Sequence, residues 1–179
     1  LVEDHPDNPV LRLGALMGLA VTSGVDKAVM ANAGSRVMLL GNWAEQLIAE
    51  STGKDGTGLL PIAVPDVRTP NFAGSTPDCM LLAWGPVNPL EDVPPASGFG
   101  ASVRAYLGAQ FLLWEFAVAV AGRVIGINPF DQPDVESAKA AAREMLSGDV
   151  PHAKPVLADE RVRKLSFTGS TPVGVKLLQ

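Results

Sequence analysis

The sequence predicts a three-layer α/β domain built on a mostly parallel β-sheet. Stretches with apolar residues at helical spacing alternate along the chain with short apolar runs of strand length. This alternation is typical of a parallel sheet whose strands are joined by helices. At 179 residues the chain also has the length of one ordinary domain and can bury a substantial core.

The first elements follow from their capping and breaking residues. The segment from Asn8 to Ser23 has helical periodicity, with Asn8 as its predicted N-cap and Gly24 as its stop. The run from Val25 to Ala31 predicts a short buried strand. Ser35 is the predicted cap of the next helix, which we expect to end at Glu50.

The later elements are separated by two segments rich in Pro, Gly, Ser and Asp. Strands are predicted from Leu59 to Val64 and from Cys79 to Trp84, although Pro61 weakens the first. The segments Pro65–Pro77 and Gly85–Gly100 are predicted to be loops. Two helices complete the pattern, from about Ala105 to Gly126 and from about Pro133 to Leu146.

Charge and composition exclude several classes of function. The net charge of −5 and the isoelectric point near 5.0 argue against a nucleic-acid or anionic-membrane surface. Cys79 is the only cysteine, which rules out an internal disulfide and thiol-rich metal sites. The apolar run from Tyr106 to Ile127 is interrupted by polar and charged residues, so it predicts a buried core helix rather than a membrane span. We therefore expect a cytoplasmic protein with no metal and no cofactor.

Glu50 is a candidate general base. A carboxylate in the last helical turn lies at the negative end of the helix dipole, where a basic residue is more favourable. Gln46 lies four residues earlier on the same helix face, beside the apolar stripe. Partial desolvation there would make Glu50 more basic than a solvated glutamate. The alternative is a surface glutamate before a glycine cap at Gly53.

Lys139 is the second candidate, in the segment I-N-P-F-D-Q-P-D-V-E-S-A-K that ends at it. Pro133 is expected to open the helix, and Lys139 follows Val135 by one turn at the edge of the apolar stripe. Such a lysine either keeps its ammonium in solvent or delivers a proton or positive charge into a cleft.

Two segments resemble the phosphoglucose isomerases. N-P-F-D-Q-P-D-V-E-S-A-K (128–139) is similar to their C-terminal signature, and the preceding run from Trp114 continues the similarity without a gap. Q-L-I-A-E-S-T-G-K (46–54) resembles their catalytic-glutamate segment, most of all in the bacterial form fused behind a transaldolase domain. The resemblance implies a sugar-isomerase (SIS) domain at residues 1–147, the C-terminal part of such an enzyme.

The resemblance also implies residue roles and a substrate. Glu50 would move a proton between C2 and C1 of an open-chain sugar phosphate through a cis-enediolate, which interconverts glucose 6-phosphate and fructose 6-phosphate. Lys139 would assist ring opening, and Gln46 and Gln132 would bind the substrate. The family's G-G-R and phosphate-binding segments and its ring-opening histidine have no counterpart here. We therefore expect an isomerase of glycolysis and gluconeogenesis that is inactive as this fragment alone and acts with a second copy or a missing N-terminal half.

The tail, residues 148–179, resembles a different family. R-K-L-S-F-T-G-S-T-P-V-G (163–174) is similar to the NAD-binding strand-turn-helix of aldehyde dehydrogenases of the succinate-semialdehyde type. In that resemblance Gly169, Ser170 and Gly174 would contact the dinucleotide phosphates. A composite or chimeric chain is therefore expected, with a junction between about Leu146 and Pro155. Two alternatives to an isomerase remain open, a non-catalytic sugar-phosphate-binding module and a fragment of an NAD-dependent aldehyde dehydrogenase.

Overall fold

The computed structural model describes residues 5–131 and 133–147 of the chain. These residues fall into two compact units that divide after Asp131. The first unit contains the sheet and most of the helices, and the second contains one helix, α5 (Pro133–Ser147). The predicted division at residue 147 lies at the edge of the described residues and stays a prediction.

The first unit is an α/β domain with an entirely parallel sheet of four described strands, in the order β2-β1-β3-β4. Its elements in chain order are α1 (Pro9–Thr22), β1 (Lys27–Asn32), α2 (Leu40–Thr52), β2 (Leu60–Val64), the single turn α3 (Pro70–Ala73), β3 (Cys79–Trp84), a 3₁₀ turn (Pro89–Glu91), β4 (Gly100–Val103) and α4 (Leu107–Ile125). The predicted fold class is confirmed.

Most predicted elements lie where local signals place them. Asn8 caps α1 by accepting a hydrogen bond from the Val10 amide at 3.0 Å, and Gly24 after the helix has a φ of +88°. Pro61 is tolerated because β2 is an edge strand, where a missing backbone donor costs little. β4 lies in a segment without a strand pattern, and only its pairing with β3 defines it.

The start of α2 differs from the prediction. Ser35 does not cap it, because the helix begins at Leu40 and its N-cap position makes no side-chain hydrogen bond. Ser35 instead belongs to a turn held by Asn32. The Asn32 side chain accepts from the Ser35 amide at 2.6 Å and donates to the Ser35 carbonyl at 2.9 Å. Asparagine and serine are favoured both in such turns and at helix caps, so local sequence alone does not separate the two.

The two faces of the sheet are covered unequally. Side chains of one face, among them Met30, Leu82 and the fully buried Trp84, pack against α1, α2 and α4. The opposite face, with Val29 and Leu81, is covered only by the short α3 around Phe72 and by loop residues. The third layer is therefore thin in the described unit.

Helix α4 is a core helix. By length and composition it is apolar enough to cross a membrane, the one such helix among the described residues. Trp114, Ala117 and Ala121 are nevertheless fully buried in the core, and α1 packs closely along it through Gly14. A Cβ atom at Gly14 would lie 2.5 Å from Val120 Cβ. One face of α4 is therefore buried as predicted, whereas Leu112 and Phe116 on its other side are exposed in the described unit.

Candidate functional site

Glu50 and Gln46 are paired on the last two turns of α2. The Gln46 side-chain amide donates to Glu50 Oε1 at 2.9 Å, as their spacing of four residues predicts. The helix continues to Thr52, so Glu50 lies inside its last turn. No basic residue lies in that turn, which leaves the negative helix end uncompensated there.

The expected desolvation of this pair is wrong for the described unit. Gln46 and Glu50 are both exposed, whereas Ala44 and Ile48 on the neighbouring stripe are buried. The apolar stripe of α2 is narrow, because two positions of its buried face are occupied by Gly41 and Thr52 rather than by large apolar residues.

The other predicted site residues are distributed over parts of the chain that are described separately or not at all. Lys139 lies on α5 in the second unit, with its side chain 54% exposed, and its Nζ donates to Glu136 Oε1 at 2.8 Å. This ion pair lowers the pKa of Glu136 below its usual value. Gln132 lies outside the described residues, as do Gly169, Ser170 and Gly174 of the dehydrogenase-like tail. Their assignments remain predictions.

Sequence reasoning missed Lys54, which lies four residues after Glu50. Its side chain is 3% exposed, and its Nζ donates to the Asn128 carbonyl at 2.9 Å, to the Asp131 carbonyl and to Asp131 Oδ1 at 3.2 Å. Residues 46–54 and 128–131 belong to the two segments that resemble the isomerases. In the fold they are joined through one buried ammonium. No local sequence pattern predicts the burial of this ammonium, because a lysine directly after a helix is ordinarily exposed.

A cavity of about 460 Å³ adjoins the end of α2, at the amino ends of β1 and β2. Ala49, Gly53 and Leu60 are among its lining residues, and Asp26 is the charged residue there. The Asp26 carboxylate is paired with Lys27 Nζ at 2.6 Å, and none of the lining residues supplies a positive charge that would attract a phosphorylated ligand. No cluster of metal-ligating side chains occurs in the described parts of the chain.

No family model matches the chain. Several curated proteins are nevertheless similar to it. A protein named "Probable glucose-6-phosphate isomerase" from Methanococcus maripaludis is 27% identical over 187 residues, which cover 82% of this chain and 43% of the relative. A glucose-6-phosphate isomerase from Caldanaerobacter subterraneus is 26% identical, with coverage of 76% and 41%.

A third relative, the glucose-6-phosphate isomerase of a Roseiflexus species, is 34% identical over 121 residues, covering 64% of this chain and 19% of its own length. The chain therefore spans less than half of the length of these relatives. Together the matches support a relationship between this chain and the glucose-6-phosphate isomerases.

Proposed function

We propose that the chain is part of an aldose–ketose isomerase that interconverts glucose 6-phosphate and fructose 6-phosphate. The observation that carries the proposal is the contact between the two isomerase-like segments, made by Lys54 with Asn128 and Asp131. The similarity to curated glucose-6-phosphate isomerases supports the same substrates. The whole reaction needs residues beyond this chain, which spans 43% of its Methanococcus relative.

Glu50 acts as the base in this proposal. Its carboxylate removes the C2 proton of the open-chain aldose phosphate and returns it to C1, while O2 loses its hydroxyl proton and O1 gains one. Gln46 donates to Glu50 Oε1 at 2.9 Å, which fixes the carboxylate plane and leaves Oε2 to meet the substrate.

Because Glu50 is exposed, the proposed reaction requires that water be excluded from it when substrate binds. Proton abstraction from carbon is efficient where water is excluded, and α2 by itself does not exclude it. In the proposal the substrate and the remainder of the enzyme cover Glu50 when the sugar phosphate binds. Lys139 assists ring opening and Gln132 binds the substrate, as the resemblance of their segment implies.

The test is Glu50→Gln in the full-length protein that carries this chain. Glutamine keeps the size and the neighbouring amide contact but cannot accept the proton. We expect turnover to fall by about 10²–10⁴-fold, the usual contribution of a general base, with little change in KM. Glucose 6-phosphate formation from fructose 6-phosphate is measured by a coupled assay, and loss of deuterium from C2-labelled substrate by NMR.

Glu45→Gln is the matched control, because Glu45 lies on the same helix and is partly exposed. It should retain turnover. Full activity of Glu50→Gln would refute the role of the base. Binding of glucose 6-phosphate by the unaltered protein without any exchange of its C2 hydrogen would favour the non-catalytic binding module instead.

A further inference from the structure

Lys54 is a buried cation in a loop that the proposed chemistry does not use. A buried ammonium is costly unless its protons are hydrogen-bonded and its charge is compensated. Lys54 satisfies both conditions with a single short segment. Two main-chain carbonyls, of Asn128 and Asp131, and the Asp131 carboxylate accept from its Nζ. Three donors thus meet three acceptors between 74 and 77 residues away in the chain.

The backbone of Lys54 is held firmly on the α2 side. Lys54 pairs with Thr57, donating at 3.1 Å and accepting at 2.9 Å, around a tight turn formed by Asp55 and Gly56. Both turn residues have positive φ, 53° and 75°, the geometry of a type I′ turn that Asp-Gly favours. Buried Thr52 reinforces the turn, since its hydroxyl accepts from the Leu59 amide at 3.1 Å.

The segment that receives Lys54 is anchored at its other end by α4. The amide of Ile127 donates to the Gly122 carbonyl at 3.0 Å, and Gly126 closes the helix with a φ of +89°. Asn128 Oδ1 accepts from the Phe130 amide at 3.1 Å, although the Phe130 side chain is 81% exposed. Lys54 therefore binds the segment at the point where it leaves the first unit, directly before Gln132 in the chain.

We propose that Lys54 is a positioning residue, whose ammonium ties residues 128–131 to the end of α2 and so holds this segment in the conformation that binds substrate. The effect on substrate binding rests on the proposed function, whereas the contact of Lys54 with residues 128–131 does not. A neutral side chain of equal length would leave two carbonyls and a carboxylate without their donor. The segment would then exchange between conformations, because hydrogen bonds to a charged donor are among the strong ones.

The first test uses hydrogen exchange on the 179-residue chain and needs no activity. Lys54→Met should speed exchange of the Phe130 amide, which donates to Asn128 Oδ1, by at least about tenfold, the factor for loss of one hydrogen bond to a charged group. Lys27→Met is the matched control. It removes another ammonium bonded to carboxylates, those of Asp26 and Asp78, at the amino end of β1. It should leave amide exchange in residues 128–131 unchanged, and Lys54→Arg, which keeps the charge, should change it less than Lys54→Met does.

Should Lys54→Met not fold, the unaltered chain gives the same answer. The ammonium protons of ¹⁵N-labelled Lys54 should exchange with water at least about tenfold more slowly than those of Lys27, whose side chain is 32% exposed. Equal exchange rates for the two lysines would overturn the proposal. So would unchanged amide exchange at residues 128–131 in a folded Lys54→Met variant.

Kinetics of the full-length protein separate this proposal from the isomerase assignment. Lys54→Met should raise the KM for fructose 6-phosphate by at least about tenfold with a smaller change in kcat, and Lys54→Arg should restore it in part. Glu50→Gln, in contrast, should lower kcat. A loosened segment with unchanged KM, in an enzyme that Glu50→Gln inactivates, would refute the positioning role. If Glu50→Gln has no effect, the isomerase proposal fails. The hydrogen-exchange data then still test whether Lys54 holds residues 128–131.

Discussion

Replacing Gly14 by alanine tests the close contact between α1 and α4. A Cβ atom at this position would lie 2.5 Å from Val120 Cβ and 2.6 Å from the Ala117 carbonyl oxygen. Ordinary contacts between such atoms are about 3.5–4.0 Å, so the helices must separate by about 1 Å or more. Both contacted atoms belong to or adjoin the α4 backbone and cannot rotate away.

The expected magnitude combines two opposing terms. Alanine favours a helix interior by about 1 kcal/mol over glycine. Overpacking by one methyl group costs about 1–3 kcal/mol, and a rigid contact at 2.5 Å belongs at the upper end. Gly14→Ala should therefore lower the free energy of unfolding by about 1–2 kcal/mol. Tryptophan fluorescence during urea unfolding reports the change, because Trp84 and Trp114 are both buried in the folded chain.

Gly108→Ala is the matched control, since Gly108 lies on α4 and no atom outside its immediate neighbourhood lies within 4 Å of its added Cβ. It should leave stability unchanged or raise it by up to about 1 kcal/mol, because only helix propensity acts there. If Gly14→Ala proves as stabilising as Gly108→Ala, with an unchanged slope against urea, the two helices are not in the close contact described and the reasoning fails.

Two further substitutions test the turn after α2 and an ion pair beside β1. Gly58→Ala should destabilise the chain by at least about 2 kcal/mol in urea unfolding. The reason is that φ is +123° at Gly58 and that a Cβ atom would lie 2.3 Å from the Thr52 carbonyl oxygen. A change below about 0.5 kcal/mol would contradict this geometry. The hydrogen bond from Lys27 holds the pKa of Asp78 well below its ordinary value of 3.8. The pair therefore stabilises the fold above pH 3.8, and this stabilisation is lost as acid protonates the carboxylate of the folded chain. The Tm of Asp78→Asn should accordingly lie below that of the unaltered chain at pH 6, and the difference should shrink below about pH 3.8; a gap independent of pH would exclude the ionic contribution.

The candidate site shows where local inference stops. The pairing of Gln46 with Glu50 follows from helix periodicity alone and is found at 2.9 Å. The exposure of Glu50 was mispredicted, because burial at the edge of an apolar stripe depends on which neighbouring elements reach it. Lys54 was overlooked for the same reason, since its partners are more than 70 residues away. The predicted approach of Lys139 to Glu50 concerns two separate units and remains a prediction.

The sequence by itself determined the α/β class, the order of its longer helices and of β1, β2 and β3, and the ends of α1 and β3. These depend on interactions between residues close in the chain, such as the Asn8 cap and the continuous apolar run from Cys79 to Trp84. Only the tertiary structure decided that a segment of Gly, Ala, Ser and Val becomes the edge strand β4, and that the ammonium of Lys54 is buried. A short strand such as β4 forms because its backbone hydrogen-bonds to a neighbouring strand. Likewise, a buried charge is stable only where distant acceptors converge on it.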